Sequence, residues 1–184
     1  MTCIAGIVNN GNVHIGGDSA GVAGLDLQVR SDAKVFINGS FIFGFTSSFR
    51  MGQLLRYDFA PPARPENMSV DKFMVSVFTR ALRECLKAGG FAKIKDNVED
   101  AGTFLVGFRG RLFQIADDFQ VGEAADGFDA VGCGGPYARA VLYETRNSKL
   151  SARARILHAL AAAERFSAGV RRPFIVKRIL TRKL

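Results

Sequence analysis

The hydrophobic and polar positions in the first quarter of the chain form the short runs typical of β-strands. Residues 4–8 are apolar, and residues 13–18 return after the stretch 9–12, Asn-Asn-Gly-Asn, which favours a tight hairpin turn. Residues 33–37 alternate between apolar and polar positions. Residues 41–45 are apolar apart from one glycine and therefore indicate a buried strand. This part of the chain thus predicts strands joined by tight turns.

A helical period follows these strands. Residues 50–59 predict a short helix, which a proline-rich stretch closes. Over residues 69–87 the apolar positions recur every three or four residues and predict a longer amphipathic helix: Met74, Val77, Phe78, Ala81, Leu82 and Cys85. Gly89-Gly90 favours an end to that helix. Residues 136–146, which open on a proline, and the alanine-rich residues 151–167 predict two further helices.

The second half of the chain returns to strands before these two helices. Residues 103–108, 112–116 and 128–132 predict strands, and residues 174–176 predict a last one. The order of strands, two helices, strands, two helices and a strand predicts an α+β fold. We expect a four-layer αββα sandwich, in which helices flank two antiparallel sheets. With 184 residues, 48% of them hydrophobic, the chain is expected to form one domain spanning residues 1–184.

Composition excludes several classes of protein. No apolar run approaches the roughly 18 residues that cross a bilayer, and the first residues lack the basic segment of a secretory signal. The three cysteines form no Cys-x-x-Cys pair and the chain has only two histidines, His14 and His158. This pattern argues against a metal site and favours reduced thiols in the cytoplasm. We expect Cys85 to lie in the core and both histidines to be structural.

The charge is basic, at a formal +8, and much of the excess lies late in the chain. The residues concerned are Arg165, Arg171, Arg172, Lys177, Arg178, Arg182 and Lys183. No basic recognition helix or aromatic ribonucleoprotein motif accompanies them. A solvated basic tail is therefore favoured over nucleic-acid binding.

Candidate chemistry begins at the second residue. Loss of Met1 would leave Thr2 with a free α-amino group. The threonine hydroxyl is a poor nucleophile until a base removes its proton. An α-amine has a pKa of about 7.7–8.0 and is partly neutral at physiological pH, so the base and the nucleophile can belong to one residue.

Two charged residues follow Thr2 at equal intervals of sixteen residues. Asp18 lies sixteen residues after Thr2, and Lys34 lies sixteen after Asp18. Further on come the turn 132–138, Gly-Cys-Gly-Gly-Pro-Tyr-Ala, and the segment 164–169, Glu-Arg-Phe-Ser-Ala-Gly. This ordered set resembles the proteasome β-type family, and most closely the peptidase of the two-part bacterial heat-shock protease. The resemblance implies the N-terminal-nucleophile hydrolase fold.

The resemblance also implies catalytic roles for individual residues. Thr2 would be the nucleophile, and the Lys34 ammonium would lower the pKa of its hydroxyl. Asp18 would hold Lys34 through a charge-assisted hydrogen bond. Cys133 stands where the family has a serine, so it would be a weaker hydrogen-bond partner for the α-amine. Glu164, three residues before Ser167, replaces an aspartate of the family with a longer arm.

The segment Thr46-Ser47-Ser48 stands where the family has the Ala-Gly-Gly oxyanion segment. Backbone N–H groups supply an oxyanion hole, so the hydroxymethyl group of Ser47 would narrow the approach without removing the donors. Together these residues predict a threonine endopeptidase that acts on peptides or unfolded proteins. Neither a cofactor nor a metal ion is implied.

The resemblance further implies assembly into a homo-oligomeric ring. The chain carries no Walker-type glycine-rich loop, so an ATP-driven unfoldase would be a separate protein. We also expect the helix at 50–59 to bury part of its apolar surface against a neighbouring subunit, because Met51, Leu54, Leu55 and Phe59 exceed what one sheet face covers.

Three alternatives stay open at this stage. The chain could be an amidase of non-protein substrates that uses the same Thr2 chemistry. It could be a catalytically inert assembly subunit that keeps Met1, or a basic nucleic-acid or scaffold binder. The mass of the N-terminus and the turnover of peptides separate the first two from a peptidase.

Overall fold

The computed structural model describes residues 1–91, 93–95 and 98–180. Its first two strands, β1 (Ile4–Asn9) and β2 (Asn12–Gly17), form an antiparallel hairpin. Asn10 and Gly11 connect them with φ angles of 50° and 73°. Two successive positive φ angles are the requirement of a type I′ turn, which asparagine followed by glycine satisfies. The hairpin predicted from the sequence is confirmed.

A four-stranded antiparallel sheet is built around this hairpin. Strand β12 (Phe128–Val131) pairs with β1, and strand β13 (Ile175–Ile179) pairs with β2. The order of strands in the sheet is β12-β1-β2-β13. Strand β13 lies where the sequence predicts a last strand, but it extends further toward the C-terminus than residue 176.

A five-stranded antiparallel sheet takes the remaining long strands. Its order is β11-β10-β9-β6-β5, which corresponds to Val121–Glu123, Arg111–Ile115, Phe104–Phe108, Phe41–Phe45 and Val35–Asn38. Two further hairpins pair β3 (Ala20–Ala23) with β4 (Asp26–Val29), and β7 (Lys93–Lys95) with β8 (Val98–Asp100). The β7–β8 hairpin was not predicted, because its sequence is rich in charge.

The helices occupy the positions that the sequence predicts. Helix α1 (Phe49–Gln53) continues as a π-helical turn over Leu54–Asp58. The second helical stretch runs through α2 (Val70–Lys72), a π-helical segment (Phe73–Phe78) and α3 (Thr79–Ala88). It ends at Gly89, and Gly90 follows with φ 69°. The wide π-helical turns were not predicted.

Helices α4 (Gly135–Glu144) and α5 (Ala152–Phe166) follow strand β12 in the chain. Pro136 lies in the first turn of α4, where its missing N–H costs nothing. Ser151 caps α5, since its side chain accepts a hydrogen bond from the N–H of Ala154 at 3.2 Å. No described helix has the length and hydrophobicity needed to traverse a membrane.

The two sheets contact each other through a buried aliphatic cluster. Its members come from strands of both sheets or from the residues next to them: Ile4, Val13, Ile15, Val35, Ile42, Leu105, Leu112 and Val131. A Cβ on Gly44 would lie 2.5 Å from Ile4 Cγ2, and one on Gly107 would lie 2.5 Å from Val13 Cγ1, in both cases a side chain of the opposite sheet. Glycine at these two positions therefore permits the close approach of the sheets.

Helices pack on the other side of each sheet. Helices α4 and α5 cover the four-stranded sheet with a cluster that includes Ala5, Ile7, Ala138, Ile156 and Leu160. The helical stretches 49–58 and 70–88 cover the five-stranded sheet with a phenylalanine-rich cluster that includes Phe41, Phe43, Phe73, Phe78 and Phe104. The predicted α+β fold is confirmed, and the core consists of these three clusters.

One expectation about the helix at 50–59 is wrong. Met51, Leu54, Leu55 and Phe59 are all buried within this one chain, with Phe59 the most exposed at 4%. The reason is the breadth of the phenylalanine-rich cluster: the ring of Phe59, for example, meets the ring of Phe43 edge-on at 6.2 Å. These four side chains leave no apolar surface for a neighbour to cover.

The remaining residues singled out in the sequence have ordinary environments. Cys85 is partly buried against the phenylalanine-rich cluster, His14 is half-buried and His158 is exposed. Of the late basic residues, Lys177 and Arg178 are exposed on β13, and Arg182 and Lys183 lie outside the described residues.

Candidate active site

Thr2 lies immediately before β1 and is 5% exposed. Its Oγ1 accepts a hydrogen bond from Lys34 Nζ at 2.9 Å. Lys34 immediately precedes β5 in the other sheet, so the contact spans the two sheets at one end of β1. The spacing of these residues in the sequence, interpreted through the family resemblance, predicted this proximity.

Asp18 completes a row of three polar side chains. Its Oδ1 accepts a hydrogen bond from Lys34 Nζ at 2.9 Å, and the side chains of Lys34 and Asp18 are 1% and 0% exposed. Three backbone N–H groups also donate to the carboxylate: Cys3 to Oδ1 at 3.0 Å, and Ala20 and Arg171 to Oδ2 at 2.9 and 3.2 Å. The carboxylate is therefore held by four donors.

Burial and charge act in opposite directions on the lysine. Burial lowers the pKa of Lys34 below the ordinary lysine value, while the neighbouring Asp18 carboxylate counteracts that shift. Burial raises the pKa of the adjacent Cys3 thiol far above its usual range, and the negative charge of Asp18 raises it further. Cys3 is fully buried on the side of the four-stranded sheet that faces α4 and α5. Its environment is that of a thiol in the hydrophobic core.

A tight turn brings Cys133 to the backbone of Thr2. Cys133 Sγ accepts hydrogen bonds from the Thr2 backbone nitrogen and from Ser167 Oγ, both at 3.2 Å. The turn depends on Gly132, which has φ 91° and whose Cβ would lie 2.3 Å from the Thr2 carbonyl oxygen. A side chain cannot be accommodated there. The structure thus brings Cys133 and Ser167 to the position that the sequence suggested.

Glu164, also named as a site residue from its segment, is paired with Arg172. Its Oε1 accepts a hydrogen bond from the backbone nitrogen of Arg172 at 2.8 Å, and its Oε2 accepts one from Arg172 Nε at 2.9 Å. This pairing lowers the pKa of Glu164. The carboxylate is therefore bound to Arg172 and not to Thr2. It contributes indirectly, because it fixes the segment in which Arg171 donates its N–H to Asp18.

The segment Thr46-Ser47-Ser48 forms the side of the site nearest α1. Thr46 Oγ1 donates to the Thr103 carbonyl at 2.6 Å, and the Thr103 N–H donates to Ser47 Oγ at 3.1 Å. Ser47 has φ 58°, a left-handed conformation that favours glycine. Ser48 accepts the N–H of Arg50 at 3.1 Å and caps α1. The segment is therefore rigid, and Ser47 is the exposed member of the three.

A cleft of about 470 Å³ opens beside Thr2. Besides Thr2, Thr46, Ser47 and Cys133, its lining includes Thr103, Gln114, Pro136 and Arg139. No local pattern in the sequence pointed to Gln114 or Arg139, because they lie on β10 and α4, far in sequence from Thr2. Arg171 and Arg172 were noted only as basic residues.

The sequence matches no protein-family model and no curated protein. Solved structures do match. BPH, the bacterial proteasome homologue of Thiobacillus denitrificans, in complex with epoxomicin, has a TM-score of 0.82 at 21% identity, covering 99% of this chain and 100% of that one.

Two further neighbours belong to the same group of structures. The eukaryotic HslV from Trypanosoma brucei has a TM-score of 0.68 at 20% identity, covering 96% of this chain and 98% of that one. Anbu, an ancestral β-subunit from Yersinia bercovieri, has a TM-score of 0.66 at 15% identity, covering 97% and 81%. The chain thus has the fold of the proteasome β-type and HslV-like N-terminal-nucleophile hydrolases. The resemblance found in the sequence is confirmed at the level of the fold.

Proposed function

We propose that this chain is a threonine peptidase subunit whose nucleophile is Thr2 after removal of Met1. The observation that carries the proposal is the buried row of three side chains. Lys34 Nζ lies 2.9 Å from both Thr2 Oγ1 and Asp18 Oδ1. A lysine and an aspartate buried together are costly to desolvate. Perturbed ionisable groups placed against a nucleophile in a cleft are typical of an active site.

The reaction begins at the amine that Met1 removal exposes. The Thr2 nitrogen, in its neutral form, takes the proton of the Thr2 hydroxyl directly or through one water molecule. Oγ1 attacks the carbonyl carbon of the scissile peptide bond, and the Lys34 ammonium stabilises the developing negative charge on Oγ1. Collapse of the tetrahedral intermediate transfers the proton to the leaving amine and leaves an ester on Thr2. Water then hydrolyses that ester by the same steps in reverse order.

The other residues support this chemistry. We assign the oxyanion hole to the backbone N–H of Ser47, because the N–H groups of Thr46 and Ser48 donate to the carbonyls of Thr103 and Thr46 at 3.1 and 2.6 Å. The side-chain hydrogen bonds to Thr103 hold this segment in place. Cys133 Sγ, which accepts a hydrogen bond from the Thr2 nitrogen and one from Ser167 Oγ, would orient the α-amine once Met1 is removed. Glu164 acts through Arg172 as a positioning residue.

We extend the proposal to the whole protein. The three core clusters fit a four-layer αββα sandwich in a single domain. The fold neighbours are proteasome-like proteins, in line with a homo-oligomeric ring that encloses Thr2. The substrates are then peptides or unfolded proteins. Folded proteins would first be unfolded by a separate ATP-driven unfoldase. The three free thiols fit a cytoplasmic location.

Intact-mass spectrometry and a covalent probe test the proposal together. We expect the purified protein to lack one methionine and to hydrolyse fluorogenic peptides. Epoxomicin is the ligand in the Thiobacillus denitrificans complex. We expect the protein to gain the mass of one inhibitor molecule and to lose its peptidase activity.

Matched variants assign the reaction to the nucleophile. Thr2→Ala removes the hydroxyl but keeps the amine, so hydrolysis should fall by a hundredfold or more, roughly what the loss of such a group costs. Thr2→Ser keeps both groups and should retain measurable activity. Quantitative retention of Met1 in a protein that hydrolyses peptides, or wild-type rates in Thr2→Ala, would refute the assignment.

A further inference from the structure

Among the described residues, one charged side chain lines the cleft beside Thr2, in addition to the buried Lys34 ammonium that contacts Thr2 Oγ1. Among the described residues that line it, Arg139 alone has a charged side chain, and the others are apolar, hydroxyl, thiol or amide residues. Arg139 lies on α4, one helical turn after Pro136, which lines the same cleft. A substrate bound against Thr2 therefore meets a single guanidinium group.

The guanidinium is anchored on one edge and open on another. Arg139 Nε donates to Asp129 Oδ1 at 2.9 Å, and its Nη2 donates to the Ala130 carbonyl at 2.8 Å. These bonds use two of the five N–H donors of an arginine. The Arg139 side chain is 53% exposed, whereas that of Asp129 is 13% exposed. The carboxylate is thus mostly covered and holds the guanidinium in place, while much of the arginine remains open to solvent.

Helix α4 adds to the positive potential at this end of the cleft. It begins at Gly135, directly after Cys133 and Gly134, and its first turn contains no acidic residue. The N-terminus of a helix carries a partial positive charge. That charge is not neutralised by an acidic side chain of the helix's own first turn. The partial charge and Arg139 both favour an anionic group next to Thr2.

We infer that Arg139 makes this cleft select peptides that carry a carboxylate within a few residues of the scissile bond, an inference that rests on the peptidase function proposed above. An arginine edge with free N–H groups binds a carboxylate by paired, charge-assisted hydrogen bonds. The carboxylate can belong to a glutamate or aspartate side chain or to the C-terminus of a short peptide. Both present the same planar anion.

Matched internally quenched peptides test the selection. One series places Glu or Gln at each position on either side of a common cleavage site, and a second series ends in a free carboxylate or an amide. We expect kcat/KM to be about threefold to tenfold higher for the acidic member at the position that reaches Arg139, the effect typical of a half-exposed charge pair. The preference should weaken as the salt concentration rises. The series that shows it identifies the source of the carboxylate.

The variant Arg139→Gln assigns the preference to this residue. The ratio of kcat/KM between the acidic and the amide peptide should fall to about one, while Arg139→Lys, which keeps the charge but not the planar fork, should retain part of it. Arg146→Gln is the matched control. Arg146 is also exposed, in the 3-10 turn Thr145–Asn147 that follows α4, where it donates to the Tyr143 carbonyl outside the cleft. This control should keep the wild-type ratio.

A binding measurement separates this inference from the peptidase assignment. Fluorescence anisotropy of labelled Glu and Gln peptides on the Thr2→Ala variant should show the same preference without turnover, and the Thr2→Ala/Arg139→Gln variant should lose it. Equal kcat/KM for both peptides in the wild-type protein, or a ratio that survives in Arg139→Gln, would overturn the inference and leave the peptidase assignment intact. Selective binding without any hydrolysis would support the inference and refute the peptidase.

Discussion

The ion pair between Asp18 and Lys34 is asymmetric, and this asymmetry predicts how the two variants differ in stability. Asp18→Asn keeps the size of the side chain but leaves the Lys34 ammonium buried without its carboxylate. It also places an amide N–H where the carboxylate accepted N–H donors. Breaking a buried pair from this side costs about 3–5 kcal/mol. At about 2–4 °C per kcal/mol for a chain of this size, Tm should fall by about 6–20 °C.

Lys34→Met leaves the Asp18 carboxylate buried without its ammonium, but this carboxylate keeps other hydrogen-bond donors. Asp18 still accepts the N–H groups of Cys3, Ala20 and Arg171 at 2.9–3.2 Å. Each hydrogen bond to a charged group contributes about 1.5–3 kcal/mol, so these bonds offset most of the lost attraction. We expect a loss of about 1–2 kcal/mol, or about 2–8 °C in Tm.

Thermal unfolding of both single variants and the double variant tests this reasoning. Protein concentration must be matched, because self-association raises apparent stability. The double variant Asp18→Asn/Lys34→Met should be more stable than Asp18→Asn alone, since the buried ammonium is gone. The reasoning fails if Lys34→Met lowers Tm as much as Asp18→Asn, or if the second substitution destabilises the Asp18→Asn protein further.

Three further predictions concern the same site. In a pH–rate profile, kcat/KM should rise as the Thr2 amine loses its proton, an event that an unperturbed α-amino group undergoes at a pH of about 7.7–8.0. At higher pH, kcat/KM should fall again as Lys34 loses its proton. Because burial lowers the pKa of Lys34, this fall should begin before the pH reaches the ordinary lysine value of 10.5, and a plateau that extends beyond pH 10.5 contradicts the assignment. Gly132→Ala should lower both Tm and activity, because its Cβ would clash with backbone at 2.3 Å, whereas Gly122→Ala, with no atom within 4 Å, should match the wild type in both assays. Ser47→Gly should raise kcat/KM severalfold by opening the approach, with a change in unfolding free energy of about 1 kcal/mol, since relief of the left-handed backbone offsets much of the loss of two hydrogen bonds, to the Thr103 N–H and to Thr46 Oγ1. Ser47→Ala, which keeps the strain and loses both bonds, should be the less stable of the two on denaturant unfolding.

The sequence predicted the strands and helices well because their signals are local. The Asn-Gly turn at 10–11, the apolar period over 69–87 and Gly89-Gly90 each act within a few residues. The meeting of Thr2, Asp18 and Lys34 depends on long-range pairing. It was anticipated through the family resemblance and not through any local pattern.

Other parts of the structure depend on contacts that no local pattern reports. Leu54 and Leu55 looked like surplus apolar surface, because the breadth of the phenylalanine-rich cluster arises only when β5, β6 and β9 lie side by side. Glu164 was assigned to the site from its segment, but Arg172 competes successfully for its carboxylate. Arg139 enters the cleft only because α4 starts next to Thr2.

The hydrogen bonds around Thr2 also have a consequence for biosynthesis. They join residues 16, 131 and 153 positions apart in the chain. Contacts of such high sequence separation form late, after the entropy of closing long loops has been overcome. Chains leave the ribosome from the N-terminus at about 5–20 residues per second, so Thr2 and Asp18 emerge well before Cys133 and Arg171. The hydrogen bonds that hold the Asp18 carboxylate and the Thr2 backbone therefore cannot be complete until Arg171 has emerged, and on the function proposed above the chain would stay inactive until then.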